Sequence, residues 1–166
     1  MATRVGIGLL VLGLIAQAAR ADSLKAGAAA FARQDYARAS SIFEGLATRG
    51  NAQAQTYLGF MYAKGEGVPQ NYSLAAYWTR CAANQAVPAA QYFLGLMYDK
   101  GQGVPEDYIL AEAWLSLAVA HAEPRRRGFW TRIRNAVAGK LSDVELAEAQ
   151  HLALQFHPTN GIWTSQ

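Results

Sequence analysis

Fourteen residues are written almost twice. GFMYAKGEGVPQNY runs from Gly59 to Tyr72, and GLMYDKGQGVPEDY runs from Gly95 to Tyr108. The likeness extends well beyond this stretch. Residues 52–87 laid on 88–123 without a gap share 17 of 36 positions, far more than chance matching gives. Self-similarity at this period marks a stack of small structural units, each too small to bury its apolar face alone. A fainter copy comes first. Asp35-Tyr36 stands 36 residues before Asn71-Tyr72, which stands 36 before Asp107-Tyr108, and alanine follows three later each time, at Ala39, Ala75 and Ala111. The first copy's turn, around Arg33-Gln34, lacks the G-x-G-V-P insertion.

Within each unit the apolar spacing is helical. Ala54, Leu58, Met61 and Tyr62 recur at three and four residues, as do Tyr72, Ala75, Trp78 and Ala82. The spacing predicts a helix over about Ala52 to Lys64. Gly65 suits the left-handed residue that ends it, with Lys64 favourably placed at the negative end of the helix dipole. Asn71 then caps a second helix by accepting from an early backbone N–H, as Asp35 and Asp107 do in their own units. Pro124 opens a different ending. One amphipathic helix spans about Arg125 to Val137, with Phe129, Trp130, Ile133 and Val137 apolar. Ser142 and Glu145 form a capping box for another, whose inward stripe is Val144, Leu146, Ala149, Leu152 and Phe156. His157-Pro158 stops it. The division that follows is a leader over 1–21, a degenerate first repeat over 22–50, repeats over 51–87 and 88–123, capping helices over 124–158 and a tail over 159–166.

Residues 1–21 read as a secretory signal peptide. Arg4 is the positive start, Ile7 to Ala16 is apolar, and Ala19-Arg20-Ala21 supplies an A-x-A cleavage pattern before Asp22. The apolar run is shorter than the roughly 20 residues a spanning helix needs; a retained anchor is the alternative. After signal removal no membrane span is expected, and the compartment is an exported one, the periplasm. Loss of Arg4 and Arg20 leaves 13 basic residues against 12 acidic. So mild a balance gives no ground for nucleic-acid binding. Cys81 is the single cysteine, so stability rests on packing rather than an internal disulfide, and a buried apolar role is expected for the thiol.

No chemistry-bearing motif survives inspection. The glycines at 65 and 67 lack the third glycine and the preceding strand of a dinucleotide loop, since Gln70 and Glu106 stand where that glycine would be. The sequence contains no phosphate-cradling G-x-x-x-x-G-K, no Ser-x-x-Lys and no G-x-S-x-G. His151 and His157 lie six apart, on different helix faces, and His121-Ala122-Glu123 has no C-x-x-C partner. Surface or capping roles fit all three histidines. Asp35, Asp107 and Glu145 are explained by capping, while Glu112 and Glu148 read as solvated helix positions. No cofactor, no metal and no catalytic residue are expected. The cluster Arg125, Arg126, Arg127, Arg132, Arg134 and Lys140 reads first as the wet face of a cap helix. Weak contact with an anionic surface or an acidic protein is its functional alternative.

The pattern A-Q-x-x-L-G-x-M-Y-x-x-G-x-G-V-P-x-D/N-Y-x-x-A-x-x-W, met in residues 54–78 and again in 90–114, resembles the Sel-one-like repeat, a tetratricopeptide-like helix pair of about 36 residues. Residues 24–50 are similar to a plain tetratricopeptide unit through Gly27, Phe31, Asp35, Tyr36 and Ala39. Leu141 to Ala153 resembles the capping helix of exported bacterial members. The resemblance implies an all-α fold, a right-handed α-solenoid of helix hairpins with a C-terminal helical cap. Its first helices would line a concave groove that takes a protein or peptide. Groove positions carried over from the tetratricopeptide pattern are Gln53, Thr56, Phe60, Ala63 and Lys64, with Ala89, Tyr92, Leu96, Asp99 and Lys100 one unit on. Phe60, Tyr92 and Leu96 would form an apolar strip there; coverage by neighbouring helices is the alternative. Tyr62, Tyr98, Trp78 and Trp114 recur in register and are read as inter-helix packing. The expected function is therefore an exported, non-enzymatic interaction or adaptor module. The rival is an envelope enzyme or cell-wall-binding protein akin to penicillin-associated, cysteine-rich relatives, against which the lone Cys81 counts.

Overall fold

A computed structural model describes residues 23–158. The leader and the tail beyond Pro158 lie outside the described residues. Eight helices and no strand are present among those described. They are α1 (23–32), α2 (Tyr36–Ala47), α3 (Ala52–Lys64), α4 (Tyr72–Asn84), α5 (Pro88–Lys100), α6 (Tyr108–Ala120), α7 (Pro124–Ala138) and α8 (Asp143–Leu154). α3 with α4 and α5 with α6 form tightly packed helix hairpins. Packing is between chain neighbours, α2 on α3, α3 on α4 and so on, except at the end, where both α7 and α8 pack against α6. The result is an all-α helical repeat solenoid.

Local chemistry sets the helix ends. The side chains of Asp35, Asn51, Asn71 and Asp107 each accept from a backbone N–H three residues on, capping α2, α3, α4 and α6. Ser142 and Glu145 form the full capping box at α8. Gly65 and Gly101 end α3 and α5 in the left-handed conformation, their N–H groups returning to the carbonyls of Met61 and Met97. The first unit ends its helix differently: Gln34 takes positive φ (62°) in a short turn without glycine.

The repeat letters divide into those that close one hairpin and those that join hairpins. Gly59 and Gly95 let the two helices of a unit approach, since a Cβ would meet Thr79 or Leu115. Gln55 and Gln91 are buried and donate from Nε2 to the carbonyls of Ala47 and Ala83, tying each first helix to the end of the preceding unit. Gly67 and Gly103 do the same at the other end. Both have positive φ, and a Cβ on either would run into the backbone carbonyl of Tyr36 or Tyr72, at the start of the preceding unit's second helix. The G-x-G-V-P insertion is thus a stop for its own helix and a seat on its neighbour.

Phe43, Leu58, Met61, Leu94, Met97 and Leu115 are almost wholly buried. Each contributes roughly 1.5–3 kcal/mol by leaving water. Tyr98 and Trp114 are buried, while Tyr62 and Trp78 pack half-buried on the first cluster, which accords with a packing role for all four. Four expectations change. Glu112, read as solvated, is 2% exposed because α7 covers it. Val144, assigned to the inward stripe of α8, is 78% exposed; Ala149 is the buried residue of that helix. Phe129 is half in water at 51%. Cys81 is half-buried rather than buried, and its thiol is pushed up chiefly by desolvation.

Candidate functional site

The first helices of successive units are linked by a row of aromatic rings. Phe31 of α1 meets Phe60 of α3 at a centroid distance of 6.1 Å, and Phe60 meets Phe93 of α5 at 6.4 Å. Phe60 remains 38% exposed although it touches both neighbours. Lys64, one turn further along α3, sets its ammonium 6.0 Å from the Phe60 ring. Phe60 and Lys64 are therefore together on this face. Gln53 is exposed nearby on the same helix. Thr56 is half-buried and spends its hydroxyl on the Ala52 carbonyl at 2.8 Å, and Ala63 is buried.

One unit on, the candidates part company. Leu96 is half-buried. Tyr92 is stacked flat on Trp130 of α7, at 4.8 Å and 10°, with Phe129 6.4 Å away. Burial pushes its hydroxyl up. Ala89 packs in the same cluster. The cap helix thus covers Tyr92 on one side and sets Phe129 beside it, a second ring group separate from the Phe31–Phe60–Phe93 row. Asp99 does not face a groove. Its carboxylate is buried at 6% exposure and takes Lys140 at 2.6 Å and Lys100 at 2.9 Å. Burial alone would raise Asp99, but the hydrogen bonds from Lys140 and Lys100 outweigh it and hold the carboxyl below its ordinary value. Lys140 also lies 4.3 Å from the Tyr108 ring centroid. This cluster pins α5 and α6 to the turn between α7 and α8, so Asp99 and Lys100 serve the cap.

The arginines of α7 are exposed except for one. Arg126 lies over Trp130 and Arg132 over Phe129, at 5.9 and 5.8 Å. Arg125 pairs with Glu123, and Arg127 donates to the Ala122 carbonyl. Arg134 is half-buried, 3.9 Å from Glu112. Glu112 is held above its ordinary carboxylate range, chiefly by burial, with Ser116 and Arg134 pulling the other way. At 2% exposure it has no route to a substrate, so its perturbed state belongs to packing.

Sequence reasoning took Phe31 only as a letter of the degenerate repeat, not as a site residue, and passed over Phe93. Phe93 occupies the register of Tyr57, an aromatic-for-aromatic exchange that a comparison of the copies could have flagged. Phe31 lies in the degenerate unit, where register is hard to carry. A cleft of about 570 Å³ lies among α4, α5, α6 and α8, lined by Arg80, Tyr98, Leu110, Trp114, Glu148 and Leu152. Phe156 meets Trp114 edge-on at 5.5 Å. His121 caps α6, its Nδ1 3.1 Å from the Leu117 carbonyl; His151 and His157 are exposed. Among the described residues no three His, Cys, Asp or Glu side chains converge as metal ligands, and no helix is long and apolar enough to cross a membrane.

Paired helices in which each unit's second helix packs on the next unit's first, with the repeat's glycines and glutamines making the joints, define a helical repeat protein. Residues 52–87 and 88–122 match the Sel1 repeat, so the chain carries two Sel1-like repeats. Among solved structures it is similar to a protective antigen of uropathogenic Escherichia coli strains that displays an SLR fold, at 33% identity and a TM-score of 0.76 over 82% of this chain. It is also similar to a Sel1 repeat protein from Oxalobacter formigenes, at 34% identity and a TM-score of 0.53 over 54% of this chain. The chain spans 29% and 26% of the lengths of those two. No curated protein matches it.

Proposed function

We propose that the chain is an exported, non-enzymatic adaptor that takes a protein or peptide segment along the face built by α1, α3, α5 and α7. One observation carries this reading: Phe60 sits in the middle of a ring row spanning three helices and is still 38% exposed. A large apolar side chain held between two others and open to water is the usual anatomy of an interface anchor. The Sel1 repeat matches support an interaction role in general. Export rests on the leader-like residues 1–21 alone.

The test compares capture from an envelope extract by the wild-type chain, by Phe60→Ala and by Val144→Ala, an exposed cap residue 78% open to water. Bands present with wild type and Val144→Ala but lost with Phe60→Ala, while circular dichroism stays unchanged, are the expected result. Equal capture by all three overturns the site. Intact mass of the chain in the periplasmic fraction tests export: a first residue of Asp22 is expected, and an uncleaved or cytoplasm-retained chain overturns it.

A further inference from the structure

The mild overall charge of the chain conceals a strong division between its helices. α1 and α3 carry Lys25 and Lys64 and no acid. α7 carries five arginines and no acid. The only acid on these first helices within the described residues is Asp99 of α5, and it is buried and engaged by Lys140 and Lys100. The acids lie elsewhere, in the inter-helix turns and on second helices; α8 alone holds Asp143, Glu145 and Glu148. The face with the ring row is thus cationic with no exposed carboxylate on its helices, while the closing helix of the cap is acidic.

The cations are also placed on the rings. Lys64 stands over Phe60, Arg126 over Trp130 and Arg132 over Phe129. At Phe60 and Phe129 the pairing sets a positive head beside an exposed apolar plate, so a ligand residue seated there has a counter-charge within reach, while Trp130 is buried under Tyr92 and only its Arg126 faces water. Phe129 and Phe60 are both open to water, at 51% and 38%.

We infer that this face selects an extended peptide segment in which acidic residues alternate or mingle with apolar or aromatic ones. The inference rests on the binding face proposed above and adds the chemistry of what it binds. Acidic side chains would pair with Lys64, Arg126 and Arg132, and apolar ones would cover Phe60 and Phe129. Basic segments are excluded because no exposed carboxylate on these helices compensates their charge. A peptide suits the site better than a lipid surface, since the rings are distributed across helices α1, α3, α5 and α7 rather than gathered on one amphipathic helix.

Panning a random dodecapeptide phage library on the full chain, on Phe60→Ala and on Arg126→Glu/Arg132→Glu tests it, with Arg38→Glu on α2 as the charge control. Clones enriched in Asp or Glu together with aromatic or aliphatic residues are expected, and enrichment is lost on Phe60→Ala. Synthetic copies of those clones should bind about tenfold more weakly to the double arginine variant, with little change for Arg38→Glu. Enrichment of neutral or basic clones that still depends on Phe60 overturns the charge inference and leaves the binding face standing. Clones indifferent to Phe60, or no enrichment at all, overturn both. Co-sedimentation with phosphatidylglycerol vesicles in the absence of peptide enrichment overturns the peptide assignment in favour of a lipid surface.

Discussion

Two buried carboxylates sit on opposite sides of the ordinary acidic range, and they make the pH profile of this protein a readout of its cap. Asp99 is held below its usual value of 3.8, its burial more than offset by Lys140 and Lys100. Its folded pKa is depressed, so its contribution to stability is present above that usual value and lost as pH falls through the folded one. Glu112 is raised above 4.5, chiefly by burial. Its contribution is present below 4.5 and lost as pH rises through the raised folded value. The expected outcome is that Asp99→Asn flattens the acid limb of a plot of Tm against pH. Glu112→Gln should flatten the limb above 4.5. A pair of plots parallel to wild type would contradict both assignments. Neither role was legible in the sequence. Glu112 sits in a helix register that looks solvated until α7 lies over it, and Asp99 meets Lys140 across 41 residues of chain. No periodic pattern connects positions in the repeat with positions in the cap.

Elements, by contrast, were legible wherever the deciding physics is local. The spacing from Ala54 to Tyr62 and the stop at Gly65 give α3 its observed bounds, and the caps Asp35, Asn71, Asp107 and Ser142 act as their types and positions require. The second glycine of the insertion was only partly legible. Its repetition marked a turn, but its contact with the preceding unit is a property of the stack. Gly67→Ala should therefore cost more than a turn glycine in open space. A left-handed alanine costs roughly 1–2 kcal/mol, and here the Cβ also meets the Tyr36 carbonyl, which cannot rotate away. Gly50, also at positive φ, has nothing within 4 Å of a Cβ. The expected order of Tm by calorimetry is wild type, then Gly50→Ala, then Gly67→Ala. Equal losses at the two positions would show that the insertion does not act as a joint between units.

At the scale of the whole molecule, the cap decides how the stack ends and which rings stay open. A solenoid's last repeat presents an apolar side that an atypical unit must cover. Here α7 lays Trp130 on Tyr92, and Lys140, just past its end, reaches Asp99; α8 packs on α6, with Phe156 against Trp114 beyond its end. The need for a cap is readable from the chain, because the repeat stops before the apolar residues do. Which ring meets which is not, because nothing in the cap repeats. Trp130 is 6% exposed, and truncating a buried Trp to Ala typically costs about 3–5 kcal/mol. Phe129, its neighbour in sequence, is half in water, so Phe129→Ala should cost under about 1 kcal/mol. Trp130→Ala should thus release α7 and leave Tyr92 open. Hydrogen exchange would then quicken along α5, α6 and α7 while α1–α3 keep their protection, since units contact only their neighbours. Uniform quickening throughout the chain would show instead that these few units unfold as one, and that the cap is part of a single cooperative core.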